Sequence, residues 1–158
     1  MKRIVFSIII LILSSTVFLG MNSAEKIHSE FLALVNSYRA KYGKNQLSLK
    51  YHEISQSYTN YQADIDKYIG HRGFDYRGDK VEEKLASDGI LDYSKPGSFH
   101  VAENVGYCDY SSDAAKRLFD RFVASSSHRK NLLGNFKYTS LGVSISKTGK
   151  VILCQLFF

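Results

Sequence analysis

Apolar positions change rhythm several times along this chain. Residues 4–13 form an almost uninterrupted apolar run behind Lys2 and Arg3, softening towards Gly20. Charge followed by an apolar core is the order of a secretory signal, with small residues Ser23 and Ala24 available for cleavage. Residues 4–20 also reach the lower edge of the ~17–25 residues a spanning helix needs, so an uncleaved N-terminal anchor is the rival reading. From residue 24 to 42 the spacing turns to three and four, through Ile27, Phe31, Leu34, Val35 and Tyr38. This predicts an amphipathic helix stopped by Gly43. The same spacing in Ile54, Tyr58, Tyr61, Ile65 and Tyr68 predicts a second helix over 51–69, its aromatic stripe turned inward and its end at Gly70.

A third helix is expected to begin at Asp79, where Glu82 stands at capping-box spacing, and to fade at Asp88-Gly89. Residues 90–110, with the single proline Pro96, read as irregular with one short strand. Ser112 is the expected N-cap of a fourth helix over 112–124 that turns Ala115, Leu118, Phe119, Phe122 and Val123 inward. A short helical piece over 125–133 closes at Gly134. The last segments, 140–146 and 150–158, are rich in Val, Ile, Leu and Phe around Thr148-Gly149. They predict a hairpin whose second strand is apolar enough to be central. Helices followed by a terminal hairpin indicate α+β, or an α-β-α sandwich, over a single domain at 24–158.

Composition narrows the setting. Without residues 1–23 the formal charge falls from +6 to +4, and Lys and Arg are interleaved with acids, so no nucleic-acid patch is expected. The first cysteine is Cys108, too far along to be lipidated after a signal. Membrane contact is therefore expected only through an uncleaved signal, and the domain is expected to be an exported monomer. Cys108 and Cys154 either form a disulfide, worth ~4 kcal/mol in the chain-entropy picture, or serve as two buried thiols.

Among five histidines, His28 and His52 sit in or beside helical segments and need no special role, and His100 precedes a mainly apolar stretch. His71 follows a helix end and His128 lies in a polar turn, both loop-like positions where sites are commonly built. Glu103-Asn104 falls in that apolar stretch, where a buried carboxylate must be paired or hydrogen-bonded.

Together these features resemble the CAP superfamily of cysteine-rich secretory, antigen 5 and pathogenesis-related proteins, in its bacterial form. Leu34-Val35-Asn36-Ser37-Tyr38-Arg39 with Gly43 and Leu47-Ser48-Leu49 resembles the opening helix of that family. His71 matches its first histidine, and Glu103-Asn104-Val105 its Glu-Asn-aliphatic motif. The stretch from Phe122 to Leu133, with Ser125-Ser126-Ser127-His128-Arg129-Lys130-Asn131, resembles the bacterial segment W-M-x-S-P-G-H-R-x-N-I-L. Leu141-Gly142-Val143 and the closing strand match the final hairpin.

The resemblance implies an α-β-α sandwich with a mainly antiparallel sheet. It also implies a surface cleft bringing together His71, His128 and Glu103, with Asn104, Ser125 and Arg129 around them. Two imidazoles would hold a divalent ion, often zinc in the family, with the carboxylate behind them. Departures weaken a catalytic reading. Ser125 stands where many eukaryotic members carry a second Glu, tryptophan is absent, and Ser126-Ser127 replace Pro-Gly. The expectation is a binding or interaction module for a protein or small molecule, with weak, non-obligatory zinc. A metal-assisted hydrolase using Glu103 as general base, and lipid or sterol binding, are the alternatives.

Overall fold

The computed structural model describes residues 23–94 and 99–158. The signal reading lies outside the described residues. The elements are α1 (Ser23–Lys41), β1 (Ser48–Leu49), α2 (His52–Asp64), α3 (Phe74–Ser87), β2 (Ala102–Asp109), α4 (Ala114–Ala124), α5 (Ser126–Leu132), β3 (Tyr138–Ile145) and β4 (Lys150–Phe157). The strands form one sheet in the order β1-β3-β4-β2. β1 runs parallel to β3, while β3–β4 and β2–β4 are antiparallel. The C-terminal hairpin and its central apolar strand are as expected. Among the described residues no helix is long and apolar enough to cross a membrane.

Two helical layers cover the sheet. On one face Leu141, Val143, Val151, Leu153 and Phe157 pack against Ile27, Phe31 and Val35 of α1 and Leu118 and Phe122 of α4. On the other, Leu156 and Phe158 meet Val81 and Leu85 of α3. The fold is α+β in an α-β-α arrangement.

Helix α2 is rotated from the predicted orientation by about one residue, so Ile54 and Tyr58 stay half-buried. It buries Ser55, Thr59, Gln62 and Ala63, and leaves Tyr61 (55 % exposed) and Ile65 open to solvent. The cause is a close approach: a Cβ placed on Gly142 of β3 would lie 2.3 Å from the Ser55 carbonyl carbon. No bulky side chain fits between backbones this near. Hydroxyls fill the seam instead, with Ser55 Oγ donating to the Ser140 carbonyl (3.1 Å) and Ser144 Oγ to Asn60 Oδ1 (2.6 Å). Burying hydroxyls is tolerable because each finds a partner.

Other boundaries move too. α2 ends at Asp64 rather than residue 69, because Asp66 takes a positive φ of 51° and the Gln62 side chain accepts from the Ile69 amide at 2.8 Å. α3 begins at Phe74, five residues before Asp79, after Gly73 turns the chain at φ 74°. Residue 113, not Ser112, precedes α4, without a side-chain cap bond. The short strand expected before residue 110 is the eight-residue edge strand β2.

The disulfide alternative is corrected by the sheet register. Cys154 pairs with Val105 and Cys108 with Val151, so the thiols are offset by three positions and emerge on opposite faces of the sheet. Both are free and buried, and a bridge would need their Cα atoms within about 7 Å on a common side.

Both sheet edges are closed by side chains. On β2 the outward carbonyls of Glu103, Val105, Tyr107 and Asp109 accept from Asn131 Nδ2 (3.2 Å), Tyr68 Oη (3.2 Å), Arg121 Nη1 (2.7 Å) and Arg117 Nη1 (3.4 Å). On the open part of β3, His28 Nε2 donates to the Leu141 carbonyl, and the Gln56 amide binds both polar groups of Val143.

Candidate functional site

The site forms where β2, the sheet edge, meets α5 on one side and the loop between α2 and α3 on the other. Alternation along β2 sends Glu103 towards the α2–α3 layer and Asn104 towards α5. Each residue of this pair therefore organises a different half.

Glu103 is almost fully buried, its side chain 2 % exposed. Oε2 accepts from Arg77 Nε (2.8 Å) and Nη2 (2.5 Å) and from the Cys154 thiol (3.4 Å). Oε1 faces His71 Nδ1 at 2.9 Å. Arg77 is itself buried, lies 3.6 Å over the Tyr58 ring, and donates from Nη1 to the Arg72 carbonyl. Burial pushes the Cys154 thiol far above its ordinary range, so it stays a neutral donor. A carboxylate acceptor at Nδ1 places the neutral ring's proton there and leaves Nε2 of the exposed His71 as a free lone pair.

Asn104 holds the other half. Its Nδ2 donates to the His128 carbonyl (3.1 Å), and its Oδ1 accepts from Asn131 Nδ2 (2.9 Å), tying β2 to α5. The C-terminal end of α5 is anchored by Arg39, fully buried in α1, which donates to the carbonyls of Leu132 (2.8 Å) and Gly134 (3.0 Å). The His128 ring is half-buried against Phe122, centroids 4.8 Å apart. Burial lowers its pKa, and nearby His71 lowers it further, so the imidazole is neutral at pH 7. His128, Ser125, Tyr68, Tyr107 and Arg121 border a pocket of about 240 Å³.

Of the predicted residues, the fold brings Glu103 onto His71, and Asn104 onto the backbone of His128. His71 is not among the residues lining the His128 pocket. Ser125 Oγ meets Ser127 Oγ at 3.1 Å, and Arg129 Nη1 donates to the Val123 carbonyl at 2.8 Å, closing the end of α4. Among the described residues no group of three His, Cys, Asp or Glu is placed to hold a metal ion. Two imidazoles fall short of the three protein ligands of a catalytic zinc site, and Glu103 has both oxygens engaged. The donor set does not fit a dedicated metal centre.

Sequence reasoning missed Arg77, Tyr68 and Arg121. The requirement that buried Glu103 be paired was legible, but its partner, Arg77, lies 26 residues away and only the fold identifies it.

No protein-family model matches the sequence, and no curated protein matches it. Among solved structures, the chain is similar to a cysteine-rich secretory protein from Staphylococcus aureus subsp. aureus Mu50, at 17% identity and TM-score 0.56, over 87% of this chain and 40% of that one. It thus spans less than half of that protein's length. It is also similar to an outer surface protein from Borrelia burgdorferi, at 11% identity and TM-score 0.52, over 86% of this chain and 94% of that one. These likenesses, together with the layers and sheet described above, show a CAP-like α-β-α fold.

Proposed function

We propose that this protein is an exported binding module of the CAP superfamily, with the β2 edge between His71 and His128 as its recognition cleft. The observation that carries this reading is the state of Glu103. A general base needs a free oxygen within hydrogen-bond reach of the proton it removes, whereas here one oxygen holds Arg77 and the other holds His71. Glu103 orients an imidazole and leaves its outer nitrogen for a ligand. The neutral His128 ring and the Tyr68, Tyr107 and Arg121 side chains supply further contacts for a protein segment or small molecule. The charged-then-apolar order of residues 1–23, read as a signal, and the secretory and outer surface proteins with a similar fold support the location. On this reading zinc is a weak, dispensable ligand of the two histidines.

Zinc titration by calorimetry on the wild type and on His71→Ala/His128→Ala tests this. Weak one-site binding lost in the double variant, with no peptide hydrolysis by either protein, is the expected outcome. Tight zinc binding together with a peptidase activity abolished by Glu103→Gln would overturn the reading in favour of a hydrolase.

A further inference from the structure

The rotation of α2 turns Tyr61 outward and leaves Tyr58 only half-buried, and these side chains help build a second cavity. A groove of about 570 Å³ runs between α2 and α3, walled by Ile54, Tyr58 and Tyr61 on one side and Tyr76 on the other. Ile69 and Arg72 from the connecting loop also line it. Its size, and a mainly apolar surface supplied by three tyrosines and two isoleucines among several charged groups, are those of small-molecule sites. Tyr58 forms the inner wall, fixed by its hydroxyl donating to the Gly70 carbonyl (2.6 Å) and by the Arg77 guanidinium on its ring. Tyr61 and Tyr76 are 55 % and 66 % exposed.

The charges around the groove do not cancel. Glu53 pairs with Lys84 (2.9 Å), Lys80 with Glu83 (2.7 Å) and Arg77 with Glu103. Among the described residues the Arg72 guanidinium makes no such pair, and exposed Arg72 lines the same groove as Tyr61 and Tyr76. One unbalanced cation in a groove lined by tyrosine rings is complementary to an anion on a flat apolar body.

We propose that the α2–α3 groove binds a small molecule with an aromatic body and a single anionic group, its anion on Arg72 and its rings against Tyr61 and Tyr76. The groove is separate from the His128 pocket, and the proposal does not rest on the function assigned to that cleft.

The probe is 1-anilinonaphthalene-8-sulfonate, followed by its own fluorescence on the full chain, which contains no tryptophan. Saturable one-to-one binding is expected. Arg72→Ala should weaken it about fivefold, as loss of a partly exposed ion pair does, and Tyr76→Ala by about tenfold through lost ring contact. His128→Ala should leave it unchanged. Both groove positions are exposed, so unchanged thermal transitions in these variants confirm intact folds. Equal binding of the neutral parent N-phenyl-1-naphthylamine, or indifference to Arg72→Ala and Tyr76→Ala, would overturn the proposal. Displacement by 1-naphthoate but not by laurate supports the aromatic body, and equal displacement by laurate overturns it.

Discussion

Arg77 and Glu103 illustrate how a single residue acquires its role from what surrounds it. Both are buried, so each charge has given up water and depends on the other. Removing one partner is far worse than removing both, since it strands an uncompensated charge. Arg77→Leu is expected to lower stability by about 3–5 kcal/mol, measured as a shifted urea midpoint at unchanged slope. Glu103→Leu in the same chain should recover much of that loss. A small effect of Arg77→Leu would mean that Glu103 finds water or another donor, and the orienting role given to it would fall. The same logic separates the cysteines: the Cys154 thiol serves the carboxylate, while Cys108 is a small apolar group on the opposite face.

At the scale of elements, two features decide the shape of the site. Small and hydroxylated residues let α2 lie directly on β3, and Tyr61 and Ile65 of the stripe that periodicity predicted for the core turn outward instead. The second feature is the capped edge of β2. An exposed edge strand of eight residues is a template for pairing with another chain, and here four alternate carbonyls are each taken by a side chain. Arg121→Ala combined with Tyr68→Phe frees the carbonyls of Tyr107 and Val105. The double variant is expected to associate with rising concentration in sedimentation velocity while the wild type stays monomeric. A monomeric double variant would show that the caps are not what protects this edge.

For the whole molecule, two half-buried histidines shape the response to acid. Burial lowers the pKa of His28, opposed by its bond to the Leu141 carbonyl and assisted by nearby His52. Burial and His71 lower that of His128. Both native values lie below those of the unfolded chain, so as pH falls the unfolded state takes up these protons first. Stability is therefore full above the ordinary histidine range and declines as pH drops through it to the depressed native values. Thermal transitions measured between about pH 7 and about pH 5 should fall with acidity. His28→Gln/His128→Gln should flatten that slope relative to wild type. An unchanged slope would place the acid sensitivity elsewhere.

The sequence by itself determined the elements whose neighbours lie close along the chain. The periodic faces of α1 and α4, the terminal hairpin with its central apolar strand, and the order His71, Glu103-Asn104, His128 were all readable, because local spacing and turn residues specify them. Tertiary structure alone decided which face of α2 is buried, because the cause is Gly142, far along the chain, and the backbone contact it permits. It alone brought Arg77 to Glu103 as its partner, and set the two thiols on opposite faces through strand register. Each of these depends on distances between segments remote in sequence, which residue pattern does not encode.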